Sequence, residues 1–193
     1  MQTESKPAAP GLSDVSTLRQ RARDHVEKGA VTQGYAANRD VVLRLLNEAL
    51  ATEIVCTLRY RRHYYMASGL LAESVKQEFL EHAQEEQEHA DLLAQRIVQL
   101  DGAPNFSPQG LAERSHAEYV ECSSLDEMVR ENLVAERVAI DSYKEMIRYL
   151  GDDDPTTTRL LKTILAVEEE HAEDLASMMP GVTLVSASRS PKG

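Results

Sequence analysis

The chain has 193 residues, of which 42% are hydrophobic and 5% aromatic, and its formal net charge is -11 at pH 7. This length suits one domain with a sizeable core, and the acidic balance argues against a nucleic-acid surface, because phosphate binding needs clustered Lys and Arg. The two cysteines, Cys56 and Cys122, are too few for a disulfide framework and lack the Cys-x-x-Cys spacing typical of zinc sites.

The N-terminal segment, residues 1–11, is polar and contains proline, and it lacks the apolar stretch of a signal peptide. The chain also has no run of about 18 apolar residues that would span a membrane. We therefore expect a cytoplasmic protein with no membrane partner. Its composition is dominated by Ala, Leu, Glu, Arg and Gln, which favour helix, so we predict an all-α fold.

The first 37 residues are predicted to be an N-terminal extension that contains one short polar helix over 14–28, ended by Gly29. The few apolar side chains of that helix leave two interpretations open. The helix either packs on a neighbouring subunit or lies on the surface of its own subunit.

Four long helices are predicted from apolar residues with a 3.6-residue period and from the Gly and Pro residues that follow them. They span about 38–68, 73–100, 124–150 and 156–178. Pro180-Gly181 is a stop signal after the fourth helix.

The connection over 101–123 contains two prolines and is too long for a tight turn between antiparallel helices. The first and third connections between the long helices are short, and the second is long. This pattern predicts a four-helix bundle with one crossover between its second and third helices. The predicted organisation is an extension over 1–37, a bundle over 38–179 and a flexible C-terminal tail over 180–193.

Two of the predicted helices carry a Glu three residues before a His, in the pairs Glu86/His89 and Glu168/His171. This spacing places both side chains on one helix face, one turn apart, as in half of a metal site. A single pair of this kind is more often part of a solvated helix face. The presence of a second copy favours the metal-site interpretation.

The other two long helices each carry a Glu on an otherwise apolar stripe, Glu53 in the first and Glu136 in the third. A buried carboxylate must be paired or bound to a cation, and a salt bridge is the alternative for each residue taken alone. The interval from Glu53 to Glu86 is 33 residues and that from Glu136 to Glu168 is 32. At about 1.5 Å per residue, two folded hairpins would bring each pair to one height.

The sequence therefore predicts that six side chains converge in a site for two metal ions, namely Glu53, Glu86, His89, Glu136, Glu168 and His171. Carboxylates and imidazoles in this ratio suit iron or manganese, and the absence of thiolates makes structural zinc a poorer fit. Tyr60 lies two turns after Glu53 on the same face. We predict that it hydrogen-bonds the site or carries an electron, against the alternative of a core tyrosine.

At these residues the sequence resembles the bacterioferritin branch of the ferritin-like superfamily, over roughly residues 40–178. The matching pieces are Leu-Asn-Glu-Ala-Leu-Ala-Thr-Glu at 46–53, Tyr60, Glu-Gln-Glu-His-Ala at 86–90, Gly-Ala-Pro-Asn at 102–105, Leu-Val-Ala-Glu at 133–136 and Glu-Glu-Glu-His at 168–171. The resemblance implies a ferroxidase that binds two iron ions per subunit, with manganese or zinc as substitutes. Peroxide or dioxygen would oxidise Fe2+, and Fe3+ would be stored inside a hollow homo-oligomer, which protects the cell from oxidative stress.

The chain departs from that branch at three points. Gln87 stands where the family has its haem-ligating Met, so we expect no haem. The fifth helix of the 24-subunit cage is absent, and the N-terminal extension is foreign to the branch. In these respects the chain is similar to Dps-like mini-ferritins with a bacterioferritin-type site, which implies a 12-subunit shell, with 24 subunits as the alternative.

Two other functions remain open at this point. One is a non-storing di-iron peroxidase or oxidoreductase, as in rubrerythrins, although the four Cys of a rubredoxin-type iron site are missing. The other is a DNA-protecting Dps-type protein. Residues 1–40 carry six Lys or Arg against five Asp or Glu, so we expect no direct DNA binding, while chemical protection by iron and peroxide removal stays open.

Several weaker candidates accompany the predicted site. Cys56 follows Glu53 by three residues and is either a redox-active thiol or a buried apolar side chain. Glu81, His82 and Glu85 precede the second-helix ligands by about one turn. They form either a path for entering iron or a solvated helix face.

Overall fold

Six α-helices make up the regular structure of this computed structural model, which describes residues 11–69 and 72–189. They are α1 (Val15–Arg21), α2 (Arg39–Met66), α3 (Ala72–Gln99), α4 (Leu111–Arg114), α5 (Leu125–Leu150) and α6 (Pro155–Arg189). One 3-10 turn, Val26–Lys28, follows α1. Because the described ranges contain no strand, the all-α prediction is confirmed.

The four long helices form two hairpins, α2 with α3 and α5 with α6, which pack together through α2 against α5 and α3 against α6. The segment between α3 and α5 contains only the short α4 and crosses the side of the bundle. The predicted four-helix bundle with one long crossover is therefore confirmed.

The long helices begin where the sequence has capping residues. The side chain of Asn38 accepts a hydrogen bond from the backbone N–H of Val41 at the start of α2. Ser124 and Glu127 form a capping box at the start of α5. These caps satisfy backbone donors that have no partner inside a helix, which is why the predicted starts lie within a residue or two of the observed ones.

Side chains of α2 hold the crossover in place. The side-chain oxygen of Asn47 accepts a hydrogen bond from the backbone N–H of Asn105 at 2.8 Å. Farther along α2, the buried guanidinium of Arg59 donates to the carbonyl oxygen of Glu118, also at 2.8 Å. Because such bonds supply partners for backbone groups outside regular structure, a long connection stays ordered against the bundle.

The N-terminal helix is shorter than predicted. Asp14 caps α1, which ends at Arg21, and His25 then adopts a left-handed backbone conformation with φ of 55° that does not continue a helix. The apolar side chains of α1 lie in solvent in this subunit, with Val15 49% and Leu18 52% exposed.

The fourth long helix is longer than predicted. The predicted end near residue 178 is wrong, because α6 continues through Pro180-Gly181 to Arg189. Proline removes one backbone donor, but its fixed φ is close to the helical value, so a helix can pass through it with a local bend. The predicted flexibility of residues 180–193 stays a prediction, and 190–193 lie outside the described residues.

The hydrophobic core contains a small cluster of Cys56, Ala117 and Ala135 and two larger clusters that are stacked along the bundle. One larger cluster includes Leu46, Leu50, Leu93, Leu161 and Ile164, and the other includes Tyr60, Phe79, Val129 and Leu175. In each long helix, the candidate ligands lie between the residues of these two clusters. Within the described ranges, none of the helices combines the length and apolarity needed to cross a bilayer.

Candidate metal centre

The four long helices bring all six predicted ligand side chains together in the middle of the bundle. Each is at least 95% buried. Their donor atoms form two overlapping groups, and the atoms within each group lie within 4.8 Å of one another. The groups are Glu53/Glu86/His89/Glu168 and Glu86/Glu136/Glu168/His171. Since Glu86 and Glu168 belong to both groups, the arrangement offers two adjacent cation positions with two shared carboxylates.

Both histidines turn the same ring nitrogen toward the carboxylates. The Nδ1 atom of His89 lies 2.9 Å from Glu168, 3.4 Å from Glu53 and 3.7 Å from Glu86. The Nδ1 atom of His171 lies 3.8 Å from the nearest carboxylate oxygen, on Glu168, and its approaches to two others are 3.9 and 4.0 Å. Each histidine therefore faces three carboxyl groups through Nδ1, with shorter distances around His89 than around His171.

Unsatisfied polar atoms are concentrated at this centre. Ten buried side-chain polar atoms in the described residues lack a hydrogen-bond partner, and seven of them belong to the six candidate ligands. The seven are Glu53 Oε2, Glu86 Oε1, His89 Nδ1, Glu136 Oε2, both carboxylate oxygens of Glu168, and His171 Nδ1. Each such atom costs about 1–3 kcal/mol when it stays unpaired. Five oxygens and two nitrogens converging in this way fit hard or borderline divalent cations such as Fe2+ and Mn2+.

The four carboxyl groups are of two kinds, distinguished by the direction in which their pKa values shift. Burial raises the pKa of Glu86 and of Glu168 well above the ordinary value, and the neighbouring carboxylates add to the rise. Burial acts in the same direction on Glu53 and Glu136, but hydrogen bonds within the centre outweigh it. They hold the pKa of Glu53 below its ordinary value and bring that of Glu136 down to about 2. The pKa values of the two shared carboxyl groups are thus raised, whereas those of the outer two are lowered.

The two imidazoles show the opposite balance. Burial lowers their pKa values, but the facing carboxylates outweigh it, raising the pKa of His89 to about 10 and that of His171 above its ordinary value. The two shared carboxyl groups and the two imidazoles therefore bind protons more tightly than usual. Divalent cations can displace protons from such groups, which is a further respect in which the residues fit a dinuclear site.

Two buried tyrosines support the outer carboxylates in a crossed arrangement. The hydroxyl of Tyr60, on α2, donates to Glu136 on α5, and the hydroxyl of Tyr143, on α5, donates to Glu53 on α2. Burial raises the pKa of both tyrosines well above 10, and the facing carboxylate adds to the rise. Tyr60 was expected at the site, whereas Tyr143 was missed. Its signal was present, because Tyr143 follows Glu136 by seven residues as Tyr60 follows Glu53.

The predicted cluster before the second-helix ligands divides in the structure. Glu81 is exposed, but His82 is only 2% exposed and stacks on His171, with ring centroids 4.0 Å apart. Burial and the nearby His171 lower the pKa of His82 to about 4. One carboxylate oxygen of Glu85 lies 2.7 Å from Nε2 of His171. A carboxylate at that nitrogen orients a ligating imidazole and fixes its tautomer.

Three other residues singled out in the sequence are not members of the two ligand groups. Gln87 is exposed and donates a hydrogen bond to Asp91. Cys56 and Cys122 are free thiols. Burial raises the pKa of Cys56 well above its ordinary value, which disfavours the reactive thiolate.

Comparisons with known proteins agree with this architecture. The model of the ferritin-like domain matches residues 43–182. Bacterioferritin from Mycobacterium avium is 32% identical over 156 residues, which cover 76% of this chain and 91% of the relative. The DNA protection during starvation protein of Pyrococcus furiosus is 31% identical over 144 residues, covering 72% of this chain and 77% of the relative.

A similar solved structure is a dodecameric thioferritin, the bacterioferritin-related protein from Bacteroides fragilis. It superposes with a TM-score of 0.75 and 30% sequence identity, covering 81% of this chain and 94% of that one.

Proposed function

We propose that this chain, which belongs to the ferritin-like family and has bacterioferritins among its homologues, is a ferroxidase that oxidises Fe2+ at a dinuclear site within each subunit. The Fe3+ product would be stored inside a hollow homo-oligomer. The observation that carries the proposal is the convergence of seven unsatisfied polar atoms from six buried side chains on four helices. A purely structural core gains nothing from such an arrangement, because each unpaired atom destabilises it.

The residues have distinct roles in holding substrate Fe2+. Glu53 and His89 serve one position, Glu136 and His171 serve the other, and the shared Glu86 and Glu168 serve both. Cation binding displaces the protons held on the shared carboxyl groups and the imidazoles. The crossed tyrosine hydroxyls keep the outer carboxylates oriented during this exchange.

Oxidation of two Fe2+ ions releases two electrons, which matches the capacity of the proposed oxidants. With peroxide, the two electrons break the O–O bond, and both oxygens leave as hydroxide or water. With dioxygen, the two electrons and two protons yield one hydrogen peroxide. Fe3+ binds water strongly and releases further protons as it forms mineral.

For the assembly, we propose a 12-subunit shell, with 24 subunits as the alternative. The Bacteroides fragilis protein is described as dodecameric. This subunit also exposes large apolar side chains suited to contacts between copies, including Tyr65 at 75%, Val98 at 60% and Tyr149 at 53%. The mass of the native particle tests this proposal, since a shell of either size is many times the 21.5 kDa of one chain.

The ferroxidase proposal is tested by replacing the outer carboxylates together, Glu53→Gln with Glu136→Gln. Aerobic or peroxide oxidation of Fe2+ should lose its fast phase, and soluble ferric core should no longer form. The matched control is Glu88→Gln with Glu170→Gln, which neutralises exposed carboxylates on α3 and α6. Wild-type oxidation rates in the Glu53/Glu136 variant would disprove the ligand assignment.

Two alternatives use the same centre and are separated by other measurements. A non-storing di-iron peroxidase would turn over peroxide as a small discrete oligomer and leave no mineral. The name of the Pyrococcus furiosus relative refers to DNA protection. If this protein acted by coating DNA, it would retard DNA in a gel at physiological salt. We expect the protein to form ferric mineral, to assemble into a shell and not to retard DNA.

A further inference from the structure

The two halves of the centre match at the candidate ligands but differ beside them. Residues of α3 correspond to residues of α6 that lie 82 positions later, as Glu86 does to Glu168 and His89 to His171. Beside His171 lies a polar flank composed of Glu78, His82, Glu85 and Asp174. The corresponding positions of the other half form an apolar flank, composed of Leu160, Ile164, Val167 and Leu92.

Three members of the polar flank converge on one point. The Nε2 atom of His82 lies 3.3 Å from Glu78 and 3.9 Å from Asp174, and the three donor atoms lie within 4.8 Å of one another. Exposure rises outward, from 2% for the side chain of His82 to 25% for Glu78 and 44% for Asp174. The group therefore connects solvent with the buried interior between α3 and α6.

The hydrogen bonds inside the bundle determine what His82 presents to these carboxylates. Tyr60 has one hydroxyl proton and donates it to Glu136, so at its 3.1 Å contact with His82 the tyrosine oxygen accepts. The ring proton of His82 must then be on Nδ1. The Nε2 lone pair consequently faces the carboxyl groups of Glu78 and Asp174. A divalent cation can accept donor atoms from all three side chains.

His82 also belongs to a second group that reaches the dinuclear centre. A ring nitrogen of His82 and donor atoms of Glu136 and His171 lie within 4.8 Å of one another. One buried histidine is thus shared between a partly exposed acidic group and two of the candidate ligands.

We propose that Glu78, His82 and Asp174 form a third cation site, which takes up Fe2+ between solvent and the dinuclear centre. The existence of the site stands on the geometry of these three residues, whereas its role in iron entry rests on the proposed function. One imidazole and two carboxylates leave room for bound water, so the site suits a divalent cation that binds weakly and moves on.

The test uses the full-length protein and Co2+ as the probe, counted per subunit by equilibrium dialysis. Glu78→Gln with Asp174→Asn should bind one Co2+ fewer per subunit than the wild type. The matched control is Glu81→Gln with Glu173→Gln, which removes the same charge from exposed neighbours on the same two helices. The control should bind as many Co2+ ions as the wild type.

Two results would overturn the third site: a wild-type Co2+ count in the Glu78/Asp174 variant, or an equal loss in the control. A further variant separates this failure from failure of the proposed function. Glu53→Gln with Glu136→Gln should weaken the dinuclear positions and retain the cation that depends on Glu78 and Asp174. If instead it left the Co2+ count and the Fe2+ oxidation rate unchanged, the proposed function would fail and the third site would stand.

The role in entry has its own readout. With limiting Fe2+, the Glu78/Asp174 variant should oxidise iron about tenfold more slowly, the lower end of the 10–100-fold losses seen when groups around a metal site are removed. At saturating Fe2+ its rate should approach that of the wild type. If the Glu78/Asp174 variant lost one Co2+ per subunit but oxidised limiting Fe2+ at the wild-type rate, the third site would have no role in iron entry.

Discussion

The polar and apolar flanks occupy equivalent places in two halves of one bundle, yet they differ in the cost of burial. Ile164 is fully buried in the apolar flank, and burying such a side chain stabilises a fold by about 1.5–3 kcal/mol. Its counterpart His82 is 98% buried and needs polar partners to offset its desolvation. The fold therefore lacks apolar packing at the polar flank but not at the apolar flank. This difference indicates that the polar flank has a function.

The largest expected effect comes from a residue common to both halves. Glu168→Gln removes a carboxylate shared by the two cation positions. Cation affinity should therefore fall at both positions, and both halves of the centre should lose function. Fe2+ oxidation measured by stopped flow should slow by at least about 100-fold, since even groups that only support metal ligands account for 10–100-fold. The control is the exposed neighbour in Glu170→Gln. Loss of only one cation from the Glu168 variant would show that the carboxylate is not shared.

Cation binding should also stabilise the fold, because it relieves the unpaired atoms at the centre. With free Zn2+ at 100 times its Kd, one bound site should raise the free energy of unfolding by about 2.7 kcal/mol. Denaturant titrations with and without Zn2+ measure this difference. Glu53→Gln with Glu136→Gln should abolish most of it, and a Zn2+ effect of unchanged size in that variant would place the stabilising cation elsewhere.

The two tyrosines test whether the flanks are functionally unequal. Both hydroxyls donate to an outer carboxylate, but only Tyr60 also contacts His82. Tyr60→Phe should slow Fe2+ oxidation about tenfold, because a hydrogen bond to a charged group contributes about 1.5–3 kcal/mol. Tyr143→Phe should slow it less. Equal rates in the two variants would contradict a special role for the polar flank.

The pH dependence of cation affinity follows from the protons that must leave. His89 has a pKa of about 10, and the pKa values of Glu86, Glu168 and His171 are raised, so these groups bind protons that a cation displaces. Affinity for Zn2+ should therefore fall as the pH is lowered and rise as it approaches 10, by up to tenfold per pH unit for each proton displaced. Calorimetry in buffers of different ionisation enthalpy counts these protons. Binding without proton release would contradict the assignment.

The smallest effect should come from copying the apolar flank onto the polar one. Burial and nearby Asp174 raise the pKa of Glu78, so its ionised form is less favourable in the folded state than in the unfolded state. Glu78→Leu, which copies Leu160, should therefore stabilise the cation-free protein by less than about 1 kcal/mol. The gain should appear as the pH rises through the ordinary pKa of glutamate. Clear destabilisation in denaturant titrations would show that Glu78 has a structural role.

The sequence was sufficient to predict the four long helices and the convergence of the six candidate ligands, because spacing along a helix and matched hairpin lengths determine both. Tyr143 was equally predictable, since it repeats the seven-residue interval between Glu53 and Tyr60. The burial of His82 was not, because its helix position shows only which face it occupies and not which neighbouring helix covers that face. The end of α6 was missed because a proline lowers the stability of a helix without always ending it.

The most direct test is anomalous X-ray diffraction from crystals of the full-length protein soaked in Co2+ at near-neutral pH. Two strong peaks should lie inside each subunit, one between Glu53 and His89 and the other between Glu136 and His171. A weaker third peak should lie beside His82. Metal bound only between subunits, with no peak among the four long helices, would contradict an intrasubunit dinuclear centre.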